Sequence, residues 1–166
     1  MKMGNFLKGS QRLIDDLEKG NVILSTKGKH ERANGMTIGW GFFGIMWNEE
    51  YFIAAVRPNR FTWRLIHDSK RFTLNFLDER YREAIDYFGT TSGYDEDKFA
   101  KGLLTLETLE GFTAPIKEAH TVVECKVVFA NNIEPFGLPQ DYIDNFYTDN
   151  AFHTMLYGKI ENILKR

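Results

Sequence analysis

Residues 51–62, Tyr51-Phe52-Ile53-Ala54-Ala55-Val56-Arg57-Pro58-Asn59-Arg60-Phe61-Thr62, change character partway along. Tyr51 to Val56 is an apolar run of strand length, and from Phe61 a helical pattern continues through Leu65 and Ile66 to residue 69. Proline pushes Arg57 toward extended backbone, so the strand geometry persists into the turn. The first turn of the helix that follows leaves amide N–H groups unpaired. Two guanidiniums, a threonine hydroxyl and those amides converge at one strand-to-helix junction, and together they make a cradle for an anion. The competing reading of the same residues is an ordinary helix cap, with Asn59 capping and both arginines solvated.

Outward from this junction the chain alternates short apolar runs with turn signals. Residues 10–19 read as a short helix, Asn21 to Thr26 as a first strand, and Lys27-Gly28-Lys29-His30 as a polar turn. Asn34 to Trp40 reads as a second strand with Met36, Ile38 and Trp40 on one side and Thr37 and Gly39 on the other. Glycines at 35, 39, 41 and 44 leave room for something to approach the backbone. Phe42 to Trp47 continues the sheet, and Arg71 to Leu77 is a further strand, reached from Val56 through the helix of residues 61–69. Asp78 reads as the cap of a helix through Phe88, with Gly89 ending it; a polar loop, Thr90 to Tyr94, and a helical turn, Asp95 to Lys101, follow. Thr121 to Asn131 alternates most cleanly, with Val123, Cys125, Val127 and Phe129 on one face and Glu124 and Lys126 on the other. Residues 133–149, carrying Pro135, Gly137 and Pro139, read as an irregular excursion before a last strand, His153 to Ile163. Six or seven strands with two or three helices predict a mainly β fold with helical crossovers, a closed or nearly closed barrel. The helical patterns are too few for a doubly wound sheet.

Composition narrows the function. A chain of 166 residues with 43% hydrophobic and 27% charged residues suits one globular domain and excludes a disordered chain. The net charge of −2 and the dispersed lysines and arginines supply no drive toward polyanions, so nucleic acid is not an expected partner. The single cysteine, Cys125, rules out an intramolecular disulfide, suits a reducing compartment, and is expected to be buried and inert. Met1 to Leu17 holds no apolar run that could direct secretion or span a bilayer, so a cytoplasmic chain with no membrane partner is expected. His30, His67, His120 and His153 lack zinc-ligand spacing, and no metal site is expected. The 14 Phe, 7 Tyr and 3 Trp offer planar surface for a ring-shaped ligand, although core packing is the commoner use of such residues.

Taken in order, several segments resemble the flavin reductase-like family, FMN-binding split β-barrel proteins that include flavoredoxins and NAD(P)H:flavin oxidoreductases. The segments are Asn34-Gly35-Met36-Thr37-Ile38-Gly39-Trp40, the Arg57-to-Thr62 turn, Phe72-Thr73-Leu74-Asn75-Phe76-Leu77, Ser92-Gly93 leading to Asp97-Lys98-Phe99, and His153-Thr154-Met155-Leu156-Tyr157-Gly158. The likeness runs over residues 20–164. It implies a single FMN-binding split-barrel domain across residues 1–166, with residues 1–19 as an N-terminal extension. By the resemblance, Met36, Thr37, Ile38, Gly39 and Trp40 line the flavin ring. Arg57, Pro58, Asn59, Arg60, Phe61 and Thr62 form the turn that holds the FMN phosphate, and Ser92 and Lys98 come toward the same ligand. Taken alone, Trp40 reads equally well as a core residue and Lys98 as a solvated helix lysine. Asn75 either bonds the ribityl chain or the ring, or satisfies a strand end.

His153 resembles the histidine of a Gly-Asp-His motif near the family's nicotinamide site, but here Ala151 and Phe152 precede it, so the acidic orienter is missing. A structural histidine is the alternative. The resemblance implies an FMN-dependent oxidoreductase that takes electrons from NADH or NADPH and passes them to free flavin or another acceptor, working as a homodimer. The alternative, favoured by the departure at His153, is an FMN-binding electron carrier or flavin store without its own nicotinamide site. A barrel that binds no flavin and serves as an interaction module is a third reading.

Overall fold

A computed structural model of the chain describes residues 10–166. Its elements are α1 (Gln11–Glu18), β1 (Val22–Lys27), β2 (Ala33–Ile38), β3 (Gly41–Met46), β4 (Glu49–Val56), α2 (Phe61–Ser69), β5 (Arg71–Phe76), α3 (Arg82–Thr90), β6 (Thr121–Asn132), α4 (Gln140–Phe146) and β7 (Thr154–Lys165). The N-terminal extension expected over residues 1–19 lies outside the described residues up to residue 9.

The strands form one antiparallel sheet in the order β2-β1-β5-β6-β7-β4-β3. Its two edge strands, β2 and β3, are consecutive in the chain and are joined by Gly39 and Trp40 alone. Two residues span only about 10 Å when extended, so a seven-stranded sheet can meet this condition only by curling until its edges approach each other. The link is held to β4 by the Ala55 amide, which donates to the Trp40 carbonyl at 3.3 Å and so carries the β3–β4 register one residue into the connection. Gly41 is required beside it, because a Cβ there would come within 2.5 Å of the Phe52 ring and 2.7 Å of the Ile53 carbonyl. The result is the mainly β barrel with helical crossovers that the sequence predicts, split along one seam.

Alternating residues fill the barrel: Val22 and Leu24, then Phe52, Ala54 and Val56, then Phe72, Leu74 and Phe76, with Cys125 and Leu156 among them. Each valine, leucine and phenylalanine among them contributes about 1.5–3 kcal/mol by leaving water. Ile85 and Phe88 of α3 pack outside the barrel on Ile23, Val122, Leu104 and Ile116. Cys125 is buried as expected.

Several local expectations are corrected. The second strand ends at Ile38, so Gly39 and Trp40 act as the link between edges and not as strand. Asn59 does not cap α2; Arg60 occupies the cap position in extended backbone without a side-chain cap bond. Asp78 opens a 3-10 turn, Glu79–Tyr81, that leads into α3. Gly89 sits inside α3, which runs on to Thr90, and not after its end; a Cβ there would be 3.3 Å from Thr37, so its use is the close approach of α3 to β2. Residues 95–101 contain a 3-10 turn, Phe99–Lys101, and the excursion after β6 contains a 3-10 turn, Pro135–Gly137, and α4. Glu124, expected on a polar face, is fully buried beneath Thr113, whose amide and hydroxyl donate to its carboxylate.

Candidate functional site

The seam, the end of β4 and the start of β7 meet at one place. Val56 pairs with Thr154, Ala55 bonds Trp40, and the chain enters β7 through His153, whose carbonyl accepts from the Ile133 amide at 2.9 Å. A wide cleft of about 340 Å³ opens there, lined by Met36, Thr37, Ile38, Gly39 and Trp40 from the seam, with Ala55, Arg57, Arg60 and His153 opposite. A narrower pocket of about 80 Å³ continues from it, sharing Met36, Thr37 and Arg60 and adding Asn34, Asn59, Phe61, Thr62, Ser92, Gly93 and Lys98. The two make one depression, broad at the seam and tapering toward the start of α2.

The narrow end is cationic and rich in donors. The first turn of α2 leaves the Phe61 and Thr62 amides without helical partners, while the Trp63 amide already bonds the Arg60 carbonyl at 3.0 Å. Thr62 is buried and its Oγ1 accepts from Asn34 Nδ2 at 2.8 Å, so its own hydroxyl proton remains to be given. Lys98 is 3% exposed; its Nζ donates to the Gly35 and Phe88 carbonyls at 2.9 and 2.8 Å. An ammonium has three donors, so one is left for the pocket. Burial, with the Arg60 charge beside it, lowers Lys98 from its ordinary value to about 8, which keeps most of it protonated at pH 7. The loop Thr91 to Gly93 that closes this end is held by Arg32, whose Nη2 donates to the Gly93 carbonyl at 2.7 Å. The Arg32 and Arg64 guanidiniums lie 5.1 and 4.7 Å from the centre of the Phe61 ring.

The broad end is aromatic. Trp40 is 46% exposed, with its ring 4.9 Å from that of His153 and 5.4 Å from that of Phe146. It is a cleft residue, and the core reading fails for it. His153 is buried, and its Nδ1 lies 3.0 Å from the Tyr147 hydroxyl. Burial first, then the Arg57 and Arg60 charges, lowers the imidazole to about 4, so the ring is neutral at pH 7.

Most residues expected from the sequence come together here: Met36, Thr37, Ile38, Gly39, Trp40, Arg57, Asn59, Arg60, Phe61, Thr62, Ser92, Lys98 and His153. Pro58 faces a separate hollow with Asn132, Glu134 and Phe152. Asn75 lies apart, because β5 alternation sends it outward while Leu74 and Phe76 face the barrel. Its amide donates to Ile23 O and Ser25 Oγ, and its Oδ1 accepts from the Ile116 amide at 2.8 Å. Arg57 lines the cleft, but its fork is committed to the excursion, with Nη1 on the Asp149 carboxylate at 2.8 and 3.0 Å and Nη2 on the Phe146 carbonyl at 2.8 Å. Arg60 is the guanidinium without a carboxylate partner among the described residues. Sequence reasoning gave no site role to Asn34, Gly93 or Asp149. The glycine at 93 was a usable signal, since a Cβ there would come within 2.6 Å of the Asn34 carboxamide.

The residues present fit a flavin nucleotide: a broad, partly aromatic cleft bounded by strand backbone opens into a narrow cationic pocket of amides, hydroxyls and an ammonium. The comparisons agree. Residues 14–165 match the family model described as Flavin reductase like domain, and the chain belongs to that family. The flavoredoxin of Desulfovibrio vulgaris (Miyazaki F) is 25% identical and superposes with a TM-score of 0.68, over 87% of this chain and 68% of that one. Flavoredoxin from Methanosarcina acetivorans is also 25% identical, with a TM-score of 0.67, over 87% of this chain and 67% of that one. An FMN-binding protein from Thermus thermophilus, 16% identical with a TM-score of 0.68 over 87% and 68%, shares the fold. A search of the curated proteins finds no match. No helix among the described residues is long and apolar enough to cross a membrane.

Proposed function

We propose that the chain binds FMN in this depression and acts as an NAD(P)H-dependent flavin reductase, handing electrons from reduced nicotinamide to free flavin or another acceptor. The observation that carries the reading is the continuity of the broad seam cleft with the narrow pocket at the start of α2. FMN supplies the redox-active ring when bound, so no general base or nucleophile is asked of the protein. The ring would be held along Met36 to Trp40, where backbone groups offer donors and acceptors and Trp40 offers apolar surface. The phosphate would be held by the Phe61 and Thr62 amides, the Thr62 hydroxyl, Arg60 and Lys98, with Ser92 on the same wall. His153 and Trp40 border the side from which a second planar substrate approaches. The exposed aromatic residues Phe42, Trp47, Phe136 and Tyr142 support a homodimer.

A carrier without a nicotinamide site is favoured by the missing acidic residue before His153 and by the edge contact of Phe146 with Trp40 beside it. Anaerobic mixing of FMN-loaded protein with NADH or NADPH separates the two. Bleaching of the flavin band at a catalytic rate is expected; a band unchanged by either nucleotide would leave only the carrier.

A further inference from the structure

Tyr147 belongs to the excursion between β6 and β7, yet its phenol reaches the histidine that opens β7. It is 5% exposed, its Oη lies 3.0 Å from Nδ1 of His153, and its ring is stacked on Phe152 at 4.6 Å with the Arg57 guanidinium 5.7 Å from its centre. The amide of Tyr147 donates to the Ile143 carbonyl at 2.9 Å, so the phenol is fixed from several directions.

Two tautomers of His153 compete at this contact. With the proton on Nδ1, the ring would donate to Oη, and the phenolic proton would be enclosed with no acceptor among the described residues. With Nδ1 bare, the phenol donates to it and both groups are satisfied. The second arrangement is favoured, because an enclosed donor without a partner forfeits its hydration for nothing. Burial raises the Tyr147 phenol, so it keeps its proton to give. The charged groups facing His153 are Arg57, Arg60 and Asp149; burial and the two arginines outweigh the carboxylate and hold the ring uncharged.

We infer that Tyr147 is a positioning residue that donates to Nδ1 of His153 and thereby presents Nε2–H to the cleft, as a donor for a carbonyl oxygen on the second substrate, such as a carboxamide. The inference rests on the reading of the cleft proposed above. It also inverts what an acidic orienter would do. A carboxylate accepts from Nδ1–H and leaves Nε2 as a lone pair, able to take a proton. A phenol that donates leaves Nε2 as a donor and nothing else. His153 here offers a hydrogen bond and not a base, and the substrate class it suits is one with an acceptor oxygen beside the reacting ring.

Nitrogen-15 histidine spectra of the full chain test this, with the His153 signal assigned by its loss in His153→Gln. A pyridine-type Nδ1 and a pyrrole-type Nε2 are expected, with Tyr147→Phe giving a mixture of tautomers and a higher protonation midpoint. A proton on Nδ1 in the unsubstituted protein, or a spectrum unmoved by Tyr147→Phe, overturns the inference. In anaerobic flavin reduction, Tyr147→Phe is expected to slow the step on the order of tenfold with FMN affinity unchanged. Glutamine at 153 keeps a donor near the Nε2 position without needing the phenol, so Tyr147→Phe should change nothing in a His153→Gln background; equal slowing in both backgrounds would mark Tyr147 as merely structural. Failure of the unsubstituted protein to retain FMN would sink the flavin reading, while the spectra would still decide the tautomer.

Discussion

Lys98 carries a strong chemical consequence for a single residue. Its Nζ is enclosed by two backbone carbonyls and titrates at about 8, so it sits near the edge of losing its charge in mildly alkaline solution. Below that value the ammonium is already formed and FMN binding needs no proton. Above it, binding the phosphate draws a proton onto Lys98, so affinity should fall with rising pH, by up to about tenfold per unit. Fluorescence titrations between pH 7 and 9.5 check this, and Lys98→Met should flatten the profile while weakening FMN by about 1.5–3 kcal/mol at pH 7. Riboflavin, which lacks the phosphate, should bind both proteins alike; a loss that is equal for the two ligands would move the phosphate away from Lys98. Taken alone, the sequence could not separate this lysine from a solvated one, because the carbonyls that hold its head come from Gly35 and Phe88, one of them far back in the chain.

At the scale of elements, local pattern was a good guide wherever the governing contact is local. The strand, turn and helix of residues 51–69 follow from hydrophobic period and proline, and the alternation of Phe72, Leu74 and Phe76 follows from the strand repeat. It was a poor guide where the partner is remote. Asn75 is claimed by Ile116 and Arg57 by Asp149, 41 and 92 residues away, and no spacing rule reaches that far. The Arg57 to Asp149 pair matters to the excursion as a unit, because with the Phe146 carbonyl it fastens the end of α4 across the cleft. Asp149→Ala should therefore speed amide hydrogen exchange over residues 140–147 while leaving FMN affinity within a few-fold. Exchange unchanged there, or a large loss of FMN binding, would show that the pair does not act as the fastening. The pair is half exposed on its carboxylate side, so little loss of global stability is expected.

For the molecule as a whole, the exposed aromatic residues on β3 and the excursion are the surface that a second copy would cover. Sedimentation equilibrium at micromolar concentration should give twice the chain mass, and a single species of one chain mass would remove the homodimer. The closed form of the sheet has another effect. A barrel whose strands are each flanked by two others offers disruption few places to begin, and here the exception is the seam, where Gly39 and Trp40 link β2 to β3 and the two strands are not paired as neighbours in the sheet. That seam is also the floor of the proposed ligand cleft. A ligand seated on it would act as a rivet across the weakest joint. Occupancy would then govern how long the fold survives as well as what it does, so scarcity of flavin in a cell would shorten the lifetime of the protein before it limited its turnover.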